Sequence, residues 1–348
     1  MSYHFFSDEE FAGPHPTDIL RFWDRSPRQL RPAPRKSVPK FRLPNTQNYS
    51  QAIKAVEKDA IEISSFWCKH YTGDNWTFRC SADDVTNWLQ QGFILVLKDK
   101  GRIVATFAYR QLAATTLGAK RVPAALLDGL VVHPELRQQG VASFLLAAMD
   151  YAVYSDSTKA QVALFWFREH ASSLNAVVQA PICVFDYCYI KLGDVGKYAG
   201  QATRVLDDTV SVIVNGIIER ERLGFTVACS ASAMQANIFW FLAGSAVIGI
   251  ADTHRISTAG DTIWEVVFAA NTTAPHFIGL QEAIEAAAAA LPCTKGVVFA
   301  SNSKSRGSLS SPTSPWITGT SGCLSMHVYN YMPPTFLTGD IMMPVDCI

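Results

Sequence analysis

Between Asp128 and Ala142 the sequence reads DGLVVHPELRQQGVA, and its residue types suit the holding of an anion. An apolar strand stops at His133-Pro134, then Arg137, Gln138, Gln139 and Gly140 precede an apolar run that opens with Val141 and Ala142. A helix starting there leaves its first N–H groups without intrahelical partners and sets the positive end of its dipole beside them. A diphosphate fits such a corner without a phosphate-loop lysine. Gly140 lets the backbone approach closely and Arg137 adds a charge. Asp128 is a carboxylate in an otherwise apolar strand, so it either pairs with a cation or acts as a base; orienting an incoming ammonium is the blander role. His133 reads as a structural hydrogen-bonder that ends a buried strand.

The elements that must position these residues follow from periodicity. Ser50 to Tyr71 has the apolar spacing of a helix, and SADDVTNWLQQ (Ser81 to Gln91) is a second helix with Ser81 and Asp84 at capping distance. FILVLKDKGRIVATFAYRQL reads as two strands about the turn Asp99-Lys100-Gly101, and VPAALLDGLVVH as a further strand. A helix from Gln138 to Tyr154 and a strand from Ala160 to Phe167 complete a unit. The second half repeats the order: a hairpin about Gly244 (Ala236 to Asp252), the strand TIWEVVFAAN, the helix HFIGLQEAIEAAAAAL and the strand KGVVFAS. Two copies of one supersecondary unit are expected. The second has Ala274, Pro275, His276 and Phe277 where the first has Arg137 to Gly140, so only the first can cradle an anion. Residues 301–322, rich in Ser, Thr, Gly and Pro, read as a loop.

Composition narrows the classes. The 348 residues carry 30 basic and 30 acidic side chains, which gives no case for a nucleic-acid surface. Eight cysteines lie scattered without a C-x-x-C pair, so neither a metal site nor a disulfide framework is expected. No apolar run is long enough to span a bilayer and no signal peptide is legible, so a cytoplasmic protein is expected. The run from Arg21 to Arg42 has eight basic residues against Asp24 alone, and its four prolines forbid a continuous helix. It reads as a solvated arm, except that Phe22-Trp23 need a surface to cover.

The apolar strand followed by Arg-x-x-Gly-x-Ala and a helix resembles the acyl-CoA-binding signature of the GNAT superfamily. With the duplication, the chain is similar to a short, divergent glycylpeptide N-myristoyltransferase. LRFWD (Leu20 to Asp24) resembles that family's aromatic pair packed on CoA, and HYTGDNWTFR (His70 to Arg79) its loop over the peptide groove. FWFR (Phe165 to Arg168) resembles its Tyr-Trp-His-Arg strand, and LSMHVYNYMPP (Leu324 to Pro334) its last strand.

The resemblance implies an α+β fold of two tandem GNAT-like units in a pseudo-twofold arrangement, mixed sheets flanked by helices. It divides the chain into an arm (1–49), an acyl-CoA-binding unit (50–205) and a second unit (206–348) that forms the peptide groove. The implied reaction is transfer of myristoyl from myristoyl-CoA to the amine of an N-terminal glycine, with no metal, by a monomer. Gly129 and Leu130 match the two backbone N–H donors to the thioester oxygen, each contributing ~3 kcal/mol in such sites. Leu20, Arg21, Phe22, Trp23, Val131, Val132, and Arg137, Gln138, Gln139, Gly140, Val141 and Ala142 match CoA contacts. Tyr71, Asp74, Phe78, Phe165, Phe167 and Gly319 match the acceptor side.

The implied base is the terminal carboxylate, here at Ile348. Proton transfer from an amine near pKa 8 to a carboxylate near 3.5 is uphill by about 6 kcal/mol in water, so burial must raise the acceptor. Gly129 stands where the family has phenylalanine, Asp128 where it has asparagine, and only Asp74 remains of the acidic loop. These departures keep open a tandem GNAT enzyme with a short acyl donor and a small amine acceptor, and a catalytically silent acyl-CoA-binding protein.

Overall fold

A computed structural model describes residues 28–29, 37–44, 48–117, 120–154, 162–169, 180–206, 208–221, 225–229, 237–273, 280–301, 316–329, 331–332 and 341–342. Leu20, Arg21, Phe22, Trp23 and Ile348 lie outside the described residues.

Apolar segments of strand length dominate both halves of the chain, and they join in a single 13-stranded sheet. In chain order its strands are β1 (Ile53–Lys54), β2 (Trp76–Phe78), β3 (Gly92–Asp99), β4 (Arg102–Gln111), β5 (Ala124–Val132), β6 (Ala163–Glu169) and β7 (Ala180–Lys191). They continue with β8 (Thr203–Val205), β9 (Ile238–Ala243), β10 (Ala246–Ser257), β11 (Thr262–Asn271), β12 (Gly296–Ser301) and β13 (Ile317–Tyr329). The spatial order is β8-β9-β10-β11-β12-β7-β13-β6-β5-β4-β3-β1, with β2 on β10. Each half holds an antiparallel hairpin, a third strand and a parallel partner: β3, β4, β5 and β6 in one, β9, β10, β11 and β12 in the other. The long strands β7 and β13 lie between β12 and β6 and join the halves. The duplicated unit read from the sequence is therefore present, and the fold is a mixed, α+β sheet flanked by helices.

Helices cover the sheet because their apolar residues recur at helical spacing. In α3 (Val141–Tyr154) the buried set Val141, Phe144, Leu145, Ala148, Met149 and Val153 packs on Ala125, Leu127 and Leu164. On the opposite face α1 (Ala60–His70) and α2 (Ala82–Gln91) cover Ile94, Val96, Ala108 and Val131. Ser81 and Asp84 form the expected capping box, with Asp84 N–H donating to Ser81 Oγ at 3.2 Å and Ser81 N–H to Asp84 Oδ2 at 2.7 Å. In the second half α4 (Thr209–Glu221) and α5 (Gln281–Ala289) cover the two faces in the same way.

Three boundaries differ from the sequence reading. The helix expected from Ser50 begins only at Ala60, because Ile53 and Lys54 pair at the sheet edge with Val96 and Leu95. Asp59 then accepts the Val56 N–H at 2.9 Å and turns the chain into the helix. The helix expected from Gln138 begins at Val141, since Gln138 and Gly140 adopt φ of 60° and 82°. The loop expected over 301–322 gives way to β13 from Ile317, which residues 188–189 of β7 pair into the sheet.

Candidate functional site

The site is organised by a break in β5. Ladder pairing with β4 runs to Asp128↔Ala108 and resumes at Val131↔Thr106, so Gly129 and Leu130 form a bulge with no register partner. The parallel pairing with β6 stops at Leu126↔Phe165, while β6 itself continues along β13 to Glu169. From Leu127 to Val132 the β6 side of β5 therefore has no strand partner among the described residues.

Gly129 is required by this geometry. Its φ is 58°, and a Cβ there would stand 2.9 Å from Cζ2 of the buried Trp67. Its carbonyl accepts from Thr106 Oγ1 at 2.9 Å and its N–H donates to Oδ1 of Asp128 at 2.7 Å. Of the two amides assigned to the thioester oxygen, Gly129's already has an acceptor, and Leu130's has none in the ladder.

Asp128 pairs with a cation, one of the two roles expected for it. Arg110 Nη2 stands 3.0 Å from Oδ2, with the side chains only 4% and 11% exposed, and the guanidinium lies 4.2 Å above the Trp88 ring. The Tyr71 hydroxyl donates to Oδ1 at 3.4 Å. Both carboxylate oxygens thus have donors. Arg110, Trp67 and Thr106 were not legible as site residues, because each sits in an apolar run whose pattern speaks only of burial.

At the helix start, Arg137, Gln138, Gln139 and Gly140 form an exposed turn, with nothing within 4 Å of a Cβ placed on Gly140. Left-handed residues at 138 and 140 allow successive amides to converge on an anion. Arg137 is tied back: Nε donates to the Val132 carbonyl at 3.1 Å and Nη2 to the His70 carbonyl at 3.2 Å. This clamps the end of α1 to the end of β5. Gln139 Nε2 bonds the Glu135 carbonyl at 2.6 Å. His133 caps the short turn after it, accepting the Glu135 N–H at Nδ1, and its ring meets His70 edge-on at 4.6 Å. Burial first, then the charges of His133, Lys69 and Arg137, push His70 below its usual value. Val141 is buried against the sheet, and Ala142 is half-buried.

The loop from Tyr71 to Phe78 belongs to both halves. Tyr71 packs on Trp76 and Phe78, and Phe78 on Trp67. β2 then pairs with β10 of the second unit, Phe78↔Arg255 to Trp76↔Ser257, and Arg79 N–H donates to the His254 carbonyl at 2.6 Å. Asp74 is exposed at the tip. Phe165 is fully buried beside Leu126, its ring 4.9 Å from Phe225. Phe225 in turn pairs with Ile341, which starts the approach to the C-terminal tail. Phe167 pairs with Met326 in β13. Gly319 lies where the β7–β13 register jumps from Asp186↔Cys323 to Cys188↔Thr318. Among the described residues no group of His, Cys, Asp or Glu could hold a metal, and no helix is long and apolar enough to cross a membrane.

These features agree with known folds. Residues 53–166 match the acetyltransferase (GNAT) domain family. Saccharomyces cerevisiae N-myristoyltransferase with bound myristoyl-CoA superposes at a TM-score of 0.64 and 12% identity, over 99% of this chain and 97% of that one. A second structure of the yeast enzyme with myristoyl-CoA gives 0.63 and 12%, over 88% of each chain. No curated protein matches the sequence significantly. At this identity the likeness establishes the fold. Residues 53–166 thus match the GNAT domain family, and the whole chain has a tandem GNAT-like fold.

Proposed function

We propose that the protein transfers a myristoyl group from myristoyl-CoA to the N-terminal glycine amine of acceptor proteins. The observation that carries this reading is the bulge at Gly129 and Leu130, without a strand partner on its β6 side and one turn from the exposed Arg137–Gly140 corner. The likeness of the whole fold to an enzyme holding myristoyl-CoA supports it.

The corner binds the diphosphate and the thioester carbonyl lies along the β6 side of β5 beyond Leu126. The amine nitrogen attacks the carbonyl carbon, the oxygen's growing charge is received by the Leu130 N–H, and the C–S bond breaks to release CoA as its thiolate. The amine's proton passes to the carboxylate at Ile348. Asp128 orients the amine and holds the bulge, since its oxygens already accept from Arg110, Gly129 and Tyr71. Tyr71, Phe78 and the loop tip at Asp74 border the acceptor, and the aromatic arm at Leu20 to Trp23 covers the CoA. A fourteen-carbon chain buried at ~0.8 kcal/mol per methylene gives ample affinity to select for length.

A second reading, a short acyl donor with a small amine acceptor, is favoured by the match of residues 53–166 to an acetyltransferase domain. Transfer of radiolabelled myristate from its CoA thioester to Gly-starting peptides, with acetyl-CoA as control, separates the two. Myristoyl signal confined to Gly peptides is expected; acetyl transfer alone overturns the first reading. Tight acyl-CoA binding with no transfer would leave a binding protein.

A further inference from the structure

We propose that Thr106 and Trp67 are positioning residues that aim the Leu130 N–H at the acyl oxygen. This rests on the reading above, in which that amide receives the oxyanion. Trp67 Nε1 donates to Thr106 Oγ1 at 2.8 Å, and Thr106 Oγ1 donates to the Gly129 carbonyl at 2.9 Å. A hydroxyl has one proton. With the indole N–H directed at its lone pair, that proton goes to Gly129. The carbonyl of residue 129 and the N–H of residue 130 belong to one planar trans peptide and point in opposite directions. Holding the carbonyl toward Thr106 on β4 turns the Leu130 N–H away from β4, toward the edge that β6 leaves open.

The relay also acts on donor strength. A hydrogen bond accepted at a peptide carbonyl polarises the amide and makes its N–H a better donor, and chains of such bonds reinforce one another in a dry interior. Thr106 is 0% exposed and Trp67 1%, so no bulk water replaces either bond. Packing alone calls for no hydroxyl at position 106: a valine fills the same volume without a polar atom to desolvate. At a bulge freed from both ladders and held at φ 58°, the peptide otherwise lacks the register that fixes its neighbours.

Labelling the full chain with carbonyl-13C glycine and 15N leucine leaves only Gly-Leu peptide bonds visible by triple-resonance NMR. The sequence has two, 129–130 and 279–280, the second an internal control. In free Thr106→Val the 129–130 cross-peak should move upfield in both carbon and amide-proton dimensions, while 279–280 stays. Single-turnover myristoyl transfer should fall about tenfold with myristoyl-CoA affinity unchanged by calorimetry, and Thr106→Ser should restore peak position and rate. A folded Thr106→Val protein whose 129–130 peak does not move overturns the relay, as does an unaltered transfer rate. Should the valine variant not fold, Trp67→Phe keeps the hydroxyl and removes its donor: a smaller shift in the same direction supports the relay, and an unmoved peak overturns it. If the unmodified protein transfers no acyl group, the functional reading fails, and the cross-peak in the free protein still decides the relay.

Discussion

Oδ1 of Asp128 stands 2.7 Å from the amide nitrogen of Gly129, so this carboxylate closes on the backbone of the bulge it precedes. Its other oxygen meets Arg110, and the pair is almost wholly buried. Arg110→Leu leaves an uncompensated buried carboxylate and should cost about 3–5 kcal/mol in urea unfolding. Asp128→Asn keeps an acceptor for the Gly129 N–H and should cost less. If Asp128 only orients the amine, transfer by Asp128→Asn falls less than about tenfold; a fall of about a thousandfold with acyl-CoA binding intact would make it the base.

Two glycines with positive φ should separate folding from binding. Gly129→Ala meets both left-handed strain and the Trp67 ring at 2.9 Å, for a loss of about 2–5 kcal/mol. Gly140→Ala meets no atom within 4 Å and carries only the strain, about 1–2 kcal/mol. Its larger effect should fall on acyl-CoA affinity, because relaxing the turn withdraws amides from the diphosphate. Thermal melts and calorimetric titration with myristoyl-CoA read the two effects apart.

His70 gives a pH signature. Its folded value lies below the ordinary 6.5, so on acidification the unfolded chain takes up the proton first. The stability present above that value is lost as pH falls toward the lowered folded one. His70→Gln should flatten this slope in urea midpoints measured between about pH 5 and 8. An unchanged slope assigns the titration elsewhere.

The tail provides a further test. Ile341 pairs with Phe225, whose ring touches Phe165 beside Leu126, two positions before Asp128. A short glycine-serine extension after Ile348 should abolish transfer while leaving acyl-CoA binding intact. Full turnover by the extended protein removes the terminal carboxylate as base.

Much of the fold was legible in sequence because its signals are local. The hairpin about Asp99-Lys100-Gly101, the capping box at Ser81 and Asp84 and the strand Thr262–Asn271 each follow from alternation, turn residues or cap chemistry within one segment. The repeated order of strands and helices, and the asymmetry of Arg137–Gly140 against its counterpart, needed no contact information. Where local rules conflicted with pairing, pairing prevailed: Ile53 and Lys54 have helical spacing yet complete a sheet edge, and Ile317 begins a central strand inside a polar stretch.

By itself, the sequence determined the duplicated unit and the strand–turn–helix order about Arg137–Gly140, both properties of neighbours along the chain. Only the tertiary structure decided what surrounds the bulge. Trp67, Thr106, Arg110 and Tyr71 come from α1, β4 and the following loop, and nothing in a buried tryptophan or threonine announces which backbone atom it serves. That depends on the bulge placing Gly129 against Trp67 and on Asp128 turning back to its own neighbour's amide. Such relations arise because a break in pairing frees backbone groups that buried side chains from other elements must then satisfy.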